Sequence, residues 1–127
     1  MVQYHLAGRV NCEDYVICER LLDILNVSLP DFAVTKTPYR QDQWSAAAAE
    51  LSRVYGLRLP TASGAVICDV VVWSDTGRLV STDADSFSTF ALRTYGVQLD
   101  LTEAEVTLYM RANVDELRQQ SKKIPSK

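Results

Sequence analysis

Apolar residues recur along the chain in two periods, and each change of period marks an element. Tyr4, Leu6 and Val10, with Ala7 and Gly8 between them, predict a short buried strand closing over residues 8–11. Ile17, Leu21 and Leu25, with Cys18 and Leu22 beside them, then recur at three and four residues, which predicts an amphipathic helix starting just after Cys12. Glu13 and Asp14 fall in its first turn, where carboxylates meet the positive end of the macrodipole. Residues 26–31, polar and containing Pro30, end that helix. Phe32, Val34 and Tyr39 alternate with smaller or polar residues as a second strand, and Pro38 marks it as an edge or an exit. Asp42 is the expected N-cap of a second helix with Trp44, Ala47, Ala48, Leu51, Val54 and Tyr55 on one face, closed by Gly56. Residues 57–63, with Pro60, read as a loop without regular structure.

From Gly64 the composition turns to β-branched residues. Ala65 to Trp73 predicts a strand, Ser74 to Gly77 a turn and Arg78 to Thr82 a short return strand, together a hairpin. Asp83 can cap a third helix whose Phe87, Phe90, Ala91 and Tyr95 share a face before Gly96 ends it. The order β-α-β-α-β-β-α predicts an α/β fold with a mixed four-stranded sheet and helices on its faces. Thr102 to Glu105 then form a capping box that starts a last helix running to about Gln120, with Val106, Tyr109, Met110, Asn113 and Leu117 along one side. The expected division is a compact unit over 1–98, a C-terminal helix over 99–121 and a basic tail over 122–127.

A chain of 127 residues suits one core without disulfide staples. Its net charge of −3 is too small to imply a nucleic-acid partner. Three cysteines, Cys12, Cys18 and Cys68, have no metal-ligand spacing, and His5 is the single imidazole, so neither a metal nor a disulfide framework is expected. The amino terminus carries no apolar or arginine-rich leader pattern, and the longest apolar run, Val70 to Trp73, is far short of the ~20 residues of a membrane helix. Reduced thiols in the cytoplasm, away from any membrane, are the expectation.

Cys12 is the candidate reactive group. A cysteine at a strand-to-helix turn is where thioredoxin-like and glutaredoxin-like domains place their reactive thiol, because backbone N–H groups and the helix dipole favour the thiolate there. The partner cysteine three residues on is replaced by Tyr15, and Glu13 and Asp14 oppose a developing thiolate. Cys18, about 120° round the helix and some 9 Å along it, is expected in the core instead of serving as a resolving thiol. Cys68, in an apolar strand, is expected to be a packed thiol. Asp83 and Asp85, like Glu13 and Asp14, stand at helix starts, where capping accounts for them.

The segments Leu6-Ala7-Gly8-Arg9, Asn11-Cys12, Tyr15, Glu19, Leu21-Leu22, Leu29-Pro30-Asp31-Phe32 and Trp44 give the chain a resemblance to the glutaredoxin-like amino-terminal region of malate dehydrogenase 1B-like proteins over roughly residues 3 to 95. That resemblance implies a thioredoxin-like fold. Three departures from the pattern bear on chemistry. The chain has no room for the dehydrogenase domain that follows in that family and no G-x-G-x-x-G fingerprint, so NAD chemistry is not expected. The proline that glutaredoxins hold opposite the thiol is aligned here with Gly64. The turn that grips the glutathione carboxylate is here Thr82-Asp83-Ala84-Asp85, whose charges repel it.

The expected function is therefore a non-catalytic thioredoxin-like structural or docking protein without a cofactor. The resemblance implies a place among the axonemal proteins of a ciliary or flagellar doublet microtubule. Tyr109 and Met110 are candidate partner contacts, and Lys122 and Lys123 with Lys127 would suit acidic tubulin tails. The alternatives are a single-thiol glutaredoxin-like oxidoreductase using Cys12, or an accessory subunit of a metabolic or respiratory complex.

Overall fold

The computed structural model describes residues 2–63 and 65–123, with side chains described for 3–63 and 65–119. Four strands form the main sheet: β1 (Val2–Arg9), β2 (Phe32–Tyr39), β5 (Val70–Ser74) and β6 (Leu79–Ser81). Their order is β2-β1-β5-β6. β1 lies parallel to β2, from Val2 opposite Phe32 to Arg9 opposite Tyr39, and antiparallel to β5, from Tyr4 opposite Ser74 to Gly8 opposite Val70. β6 returns antiparallel to β5 with a register shift at Val72/Trp73. With α1 (Glu13–Ser28), α2 (Gln41–Tyr55) and α3 (Ala84–Tyr95), this is the thioredoxin-like arrangement.

Side chains that alternate along β1 and β5 go to opposite faces of the sheet. Tyr4, Leu6, Val10, Val70 and Val72 join Tyr15, Cys18, Leu21, Leu22 and Leu25 of α1 and Phe87 and Ala91 of α3 in one core. Ala7, Val71 and Trp73 meet Trp44 and Ala48 of α2 in a second core, with Leu57, Leu59 and Cys68. A sheet covered on both faces needs an apolar central strand on both sides, which is why Val70 to Trp73 reads as an unbroken apolar run. At one end of the first core, Tyr4, Phe32, Phe90 and Tyr95 pack edge to face, and the Tyr4 and Tyr95 hydroxyls meet at 3.0 Å.

The helix starts follow their caps. Asp83 accepts from the Ser86 N–H at 2.7 Å, and Thr102 and Glu105 exchange reciprocal bonds at 3.2 and 3.3 Å. α2 differs from expectation. Its N-cap is Arg40, with no side-chain bond, and Asp42 lies inside the first turn, where it still meets the positive helix end. The face of α2 is also narrower: Trp44 and Ala48 are buried, whereas Val54 and Tyr55 are exposed, Tyr55 leaning on Trp73 at 5.3 Å.

Two further corrections concern the middle of the chain. Residues 57–63 are not wholly irregular, since β3 (Thr61–Ala62) pairs with β4 (Ala65–Val66) in a separate two-stranded sheet. The long predicted strand therefore breaks into β4 and β5, with residues 67–69 between them. Leu57 and Leu59 are buried although they sit in a connection, because they close the second core beneath α2.

The last helix, α4 (Glu103–Lys123), runs past the expected end at Gln120 and packs on α1. Val106 is buried, Val114 and Leu117 reach the first core, and Asn113 donates to Glu19 at 2.9 Å. Glu19 also pairs with Lys36 at 3.4 Å, which ties α4, α1 and β2 together at one polar point.

Candidate functional site

Cys12 is the N-cap residue of α1, with extended backbone and no side-chain capping bond. The turn that carries it is held from three sides. The Arg9 N–H donates to the Asp69 carbonyl at 2.9 Å, the Val10 N–H to the Tyr39 carbonyl at 3.0 Å and the Cys12 N–H to the Arg9 carbonyl at 3.2 Å. Beneath it Gly8 leaves no space: a Cβ there would stand 2.7 Å from the Tyr15 ring and 2.9 Å from the Asp69 carbonyl oxygen. The Leu-Ala-Gly-Arg segment is thus read out residue by residue. Leu6 fills one core, Ala7 the other, Gly8 admits Tyr15 and Asp69, and Arg9 pairs with the Asp69 carboxylate at 3.3 Å.

The half-buried Cys12 thiol donates to Asp69 Oδ2 at 3.7 Å. Burial raises its pKa first, and the Asp69 and Asp14 carboxylates raise it further. The backbone N–H groups of Asp14 and Tyr15 pull the other way and do not win. This is a helix N-terminus whose thiolate-stabilising effect is outweighed. Arg9, the nearby cation, is already paired with Asp69, and its Nε has no hydrogen-bond partner among the described residues.

Acidic groups gather between the start of α1 and the start of α3. Burial raises the pKa of Asp14, and the Asp83, Asp69 and Asp85 carboxylates raise it further, against the pull of the Ala84 backbone N–H at the start of α3. A carboxyl whose pKa is higher folded than unfolded favours folding only when protonated. Asp14→Asn is accordingly expected to raise the thermal midpoint at pH 7, with the gain shrinking in high salt; a lower midpoint would mean that the carboxylate holds α3 in place.

The resemblance aligns Gly64 with the glutaredoxin proline. Gly64 itself lies outside the described residues, but the segment that reaches the Cys12 turn is 67–69, immediately before β5, and it presents Asp69. Trp44 fixes this segment by donating from Nε1 to the Cys68 carbonyl at 2.7 Å.

Cys18 and Cys68 are buried and free. Burial raises both thiols, Cys68 to about 11. For an acid whose folded pKa lies above its ordinary value near 9, stability is full below pH 9 and drains away as pH rises through the folded value. Chemical denaturation from pH 7 to 11 should show a plateau and then a decline beginning near pH 9, less steep in Cys68→Ala.

Of the other candidates, Tyr109 lies on α4 with the Arg20 guanidinium 4.6 Å from its ring centre, so part of its surface serves the chain's own packing. Met110 is half-buried beside Asn11. The side chains of Lys122 and Lys123, and all of 124–127, lie outside the described residues. His5 stacks on Trp73 at 5.2 Å and meets Asp75 at 3.3 Å. Among the described residues no three His, Cys, Asp or Glu side chains gather as a metal site, and no helix is long and apolar enough to cross a membrane.

A model of one family, described as "Putative malate dehydrogenase 1B N-terminal domain", matches residues 3–125. The chain belongs to that family. The match takes in α4 as well as the thioredoxin-like unit, so the last helix is part of what malate dehydrogenase 1B N-terminal domains share. No curated protein matches the chain. Asp69 and Arg9 are the residues of this family member's site that the sequence reading passed over. The signal for Asp69 was present as the one acid interrupting the β-branched run from Ala65 to Trp73.

Proposed function

We propose that the chain is a non-catalytic thioredoxin-like docking module of a larger protein assembly, its scaffold retained and its thiol chemistry silenced. The observation that carries this reading is the Asp69 carboxylate 3.7 Å from the Cys12 sulfur, where a negative charge opposes the thiolate. Asp14 supports it, since its carboxylate also raises the thiol and stands among the charges of Asp69, Asp83 and Asp85. The setting carried over from the resemblance is the accessory-protein layer of a ciliary or flagellar doublet microtubule.

The alkylation rate of Cys12 against pH, followed by intact mass with Cys68→Ala as background, tests the silenced thiol. Its midpoint is expected above the ~8.5 of free cysteine, with no mixed disulfide from glutathione. A midpoint below about 7.5 with a stable glutathione adduct would instead establish the single-thiol glutaredoxin-like reading. Salt extraction of isolated cilia tests the setting: retention with the doublets is expected, and complete release as an unassociated chain would defeat it.

A further inference from the structure

α4 passes the Cys12 turn on the side of Asn11, and two clefts there share Asn11, Val114 and Arg118 as one continuous groove. Their volumes, about 260 and 330 Å³, lie near or below the small end of ligand pockets, which run roughly from 300 to 1,000 Å³. That is room for a side chain or two of a peptide. Val10, Val114, Leu117 and Met110 supply the apolar lining.

The rim has a different character from the chain as a whole. Against a net charge of −3, the groove gathers Arg40, Arg111 and Arg118 and one carboxylate, Asp115. Arg40 lies 3.4 Å from Asp42, both well exposed, an ion pair of small value that a better acceptor displaces easily. Among the described residues, no carboxylate lies within ion-pair distance of Arg111 or Arg118. Guanidinium groups bind carboxylates as planar two-pronged donors, so three of them round an apolar trough select acid together with an apolar anchor.

We propose that this groove docks an acidic peptide segment of a partner protein, with one apolar side chain seated against Val114 and Met110 and flanking carboxylates on Arg111 and Arg118. The proposal rests on the docking reading above and names the chemistry of the partner. The apolar lining argues against a bare phosphate backbone as occupant, since phosphates leave that lining unfilled.

Fluorescence anisotropy with the full chain and a labelled peptide of glutamates around one phenylalanine is the direct test. Saturable binding is expected that weakens about tenfold or more in Arg111→Glu/Arg118→Glu, or when the phenylalanine becomes serine. Raising salt from about 50 to 300 mM should weaken it as well. Arg53→Glu, on α2 and already paired with Glu50, should stay within about twofold of wild type. Absence of saturable binding, equal binding of a lysine analogue, or an equal loss in Arg53→Glu would overturn the proposal.

Should the double variant lose its cooperative melt, amide shifts of the wild-type chain on titration with the same peptide decide. Changes grouped at Asn11, Gln41 and Val114 support the groove, and scattered or absent changes overturn it. Capture of the native assembly separates the two readings. Equal retention of wild type and double variant sinks the groove alone, whereas no retention of wild type sinks docking itself.

Discussion

Gly8→Ala is expected to destabilise the chain by about 3 kcal/mol, near the upper end for forcing extra atoms into a packed core. The added methyl would lie 2.7 Å from Tyr15 Cδ2, 2.9 Å from the Asp69 carbonyl and 3.1 Å from Val70 Cγ2. None of the three yields easily. Tyr15 is fully buried in the first core, Val70 is in the central sheet, and the Asp69 carbonyl is bonded to the Arg9 N–H. Relief requires β1 and β5 to part or α1 to lift, and either one breaks the anchoring of the Cys12 turn. A fall in thermal midpoint of about 10 °C is the corresponding shift for a chain of this size. Urea denaturation monitored by Trp44 and Trp73 fluorescence measures it, and a change under 1 kcal/mol would show that the close approach is not maintained in solution.

Asp69→Asn should make Cys12 more reactive with little loss of stability. The substitution removes the carboxylate that the thiol faces at 3.7 Å. Losing that charge favours the thiolate, so the alkylation midpoint should fall and the rate at neutral pH should rise. Because burial is the leading cause of the raised value, the midpoint should stay above the range of activated thiols. The ion pair is partly exposed on both sides, so its loss should cost under about 1 kcal/mol. An unchanged midpoint would mean that Asp69 does not face the sulfur and would remove the main support for a silenced site.

Much of the architecture is legible in periodicity alone. The three- and four-residue repeat of Ile17, Leu21 and Leu25, the Asp83 and Thr102 caps and the two glycine helix ends all report local chemistry, and local chemistry fixes those elements. What periodicity does not carry is position across the sheet. Ala65 to Trp73 is rich in β-branched residues, yet Ala65–Val66 join a separate ribbon and Val70–Trp73 the central strand. Only tertiary pairing separates them, and that pairing decides which residue reaches Cys12, so the place of Asp69 is not legible in the sequence. Likewise the exposed end of α2 looks apolar in sequence, but a helix crossing one face of a narrow sheet buries a single turn or two. The groove beside Asn11 was illegible for the same reason, since its arginines come from residue 40 and from α4, far apart along the chain.

α4 spans 21 residues, and Val106 is its single buried apolar side chain among those described. With Val114 and Leu117 only partly buried against the first core, α4 is expected to be held less firmly than the sheet and to undock before the rest unfolds. Amide hydrogens along α4 should then exchange faster than those of β1 and β5, which native-state hydrogen exchange would measure. Anything seated between α4 and the β1–α1 turn would latch this arm shut, so occupancy and local order rise together.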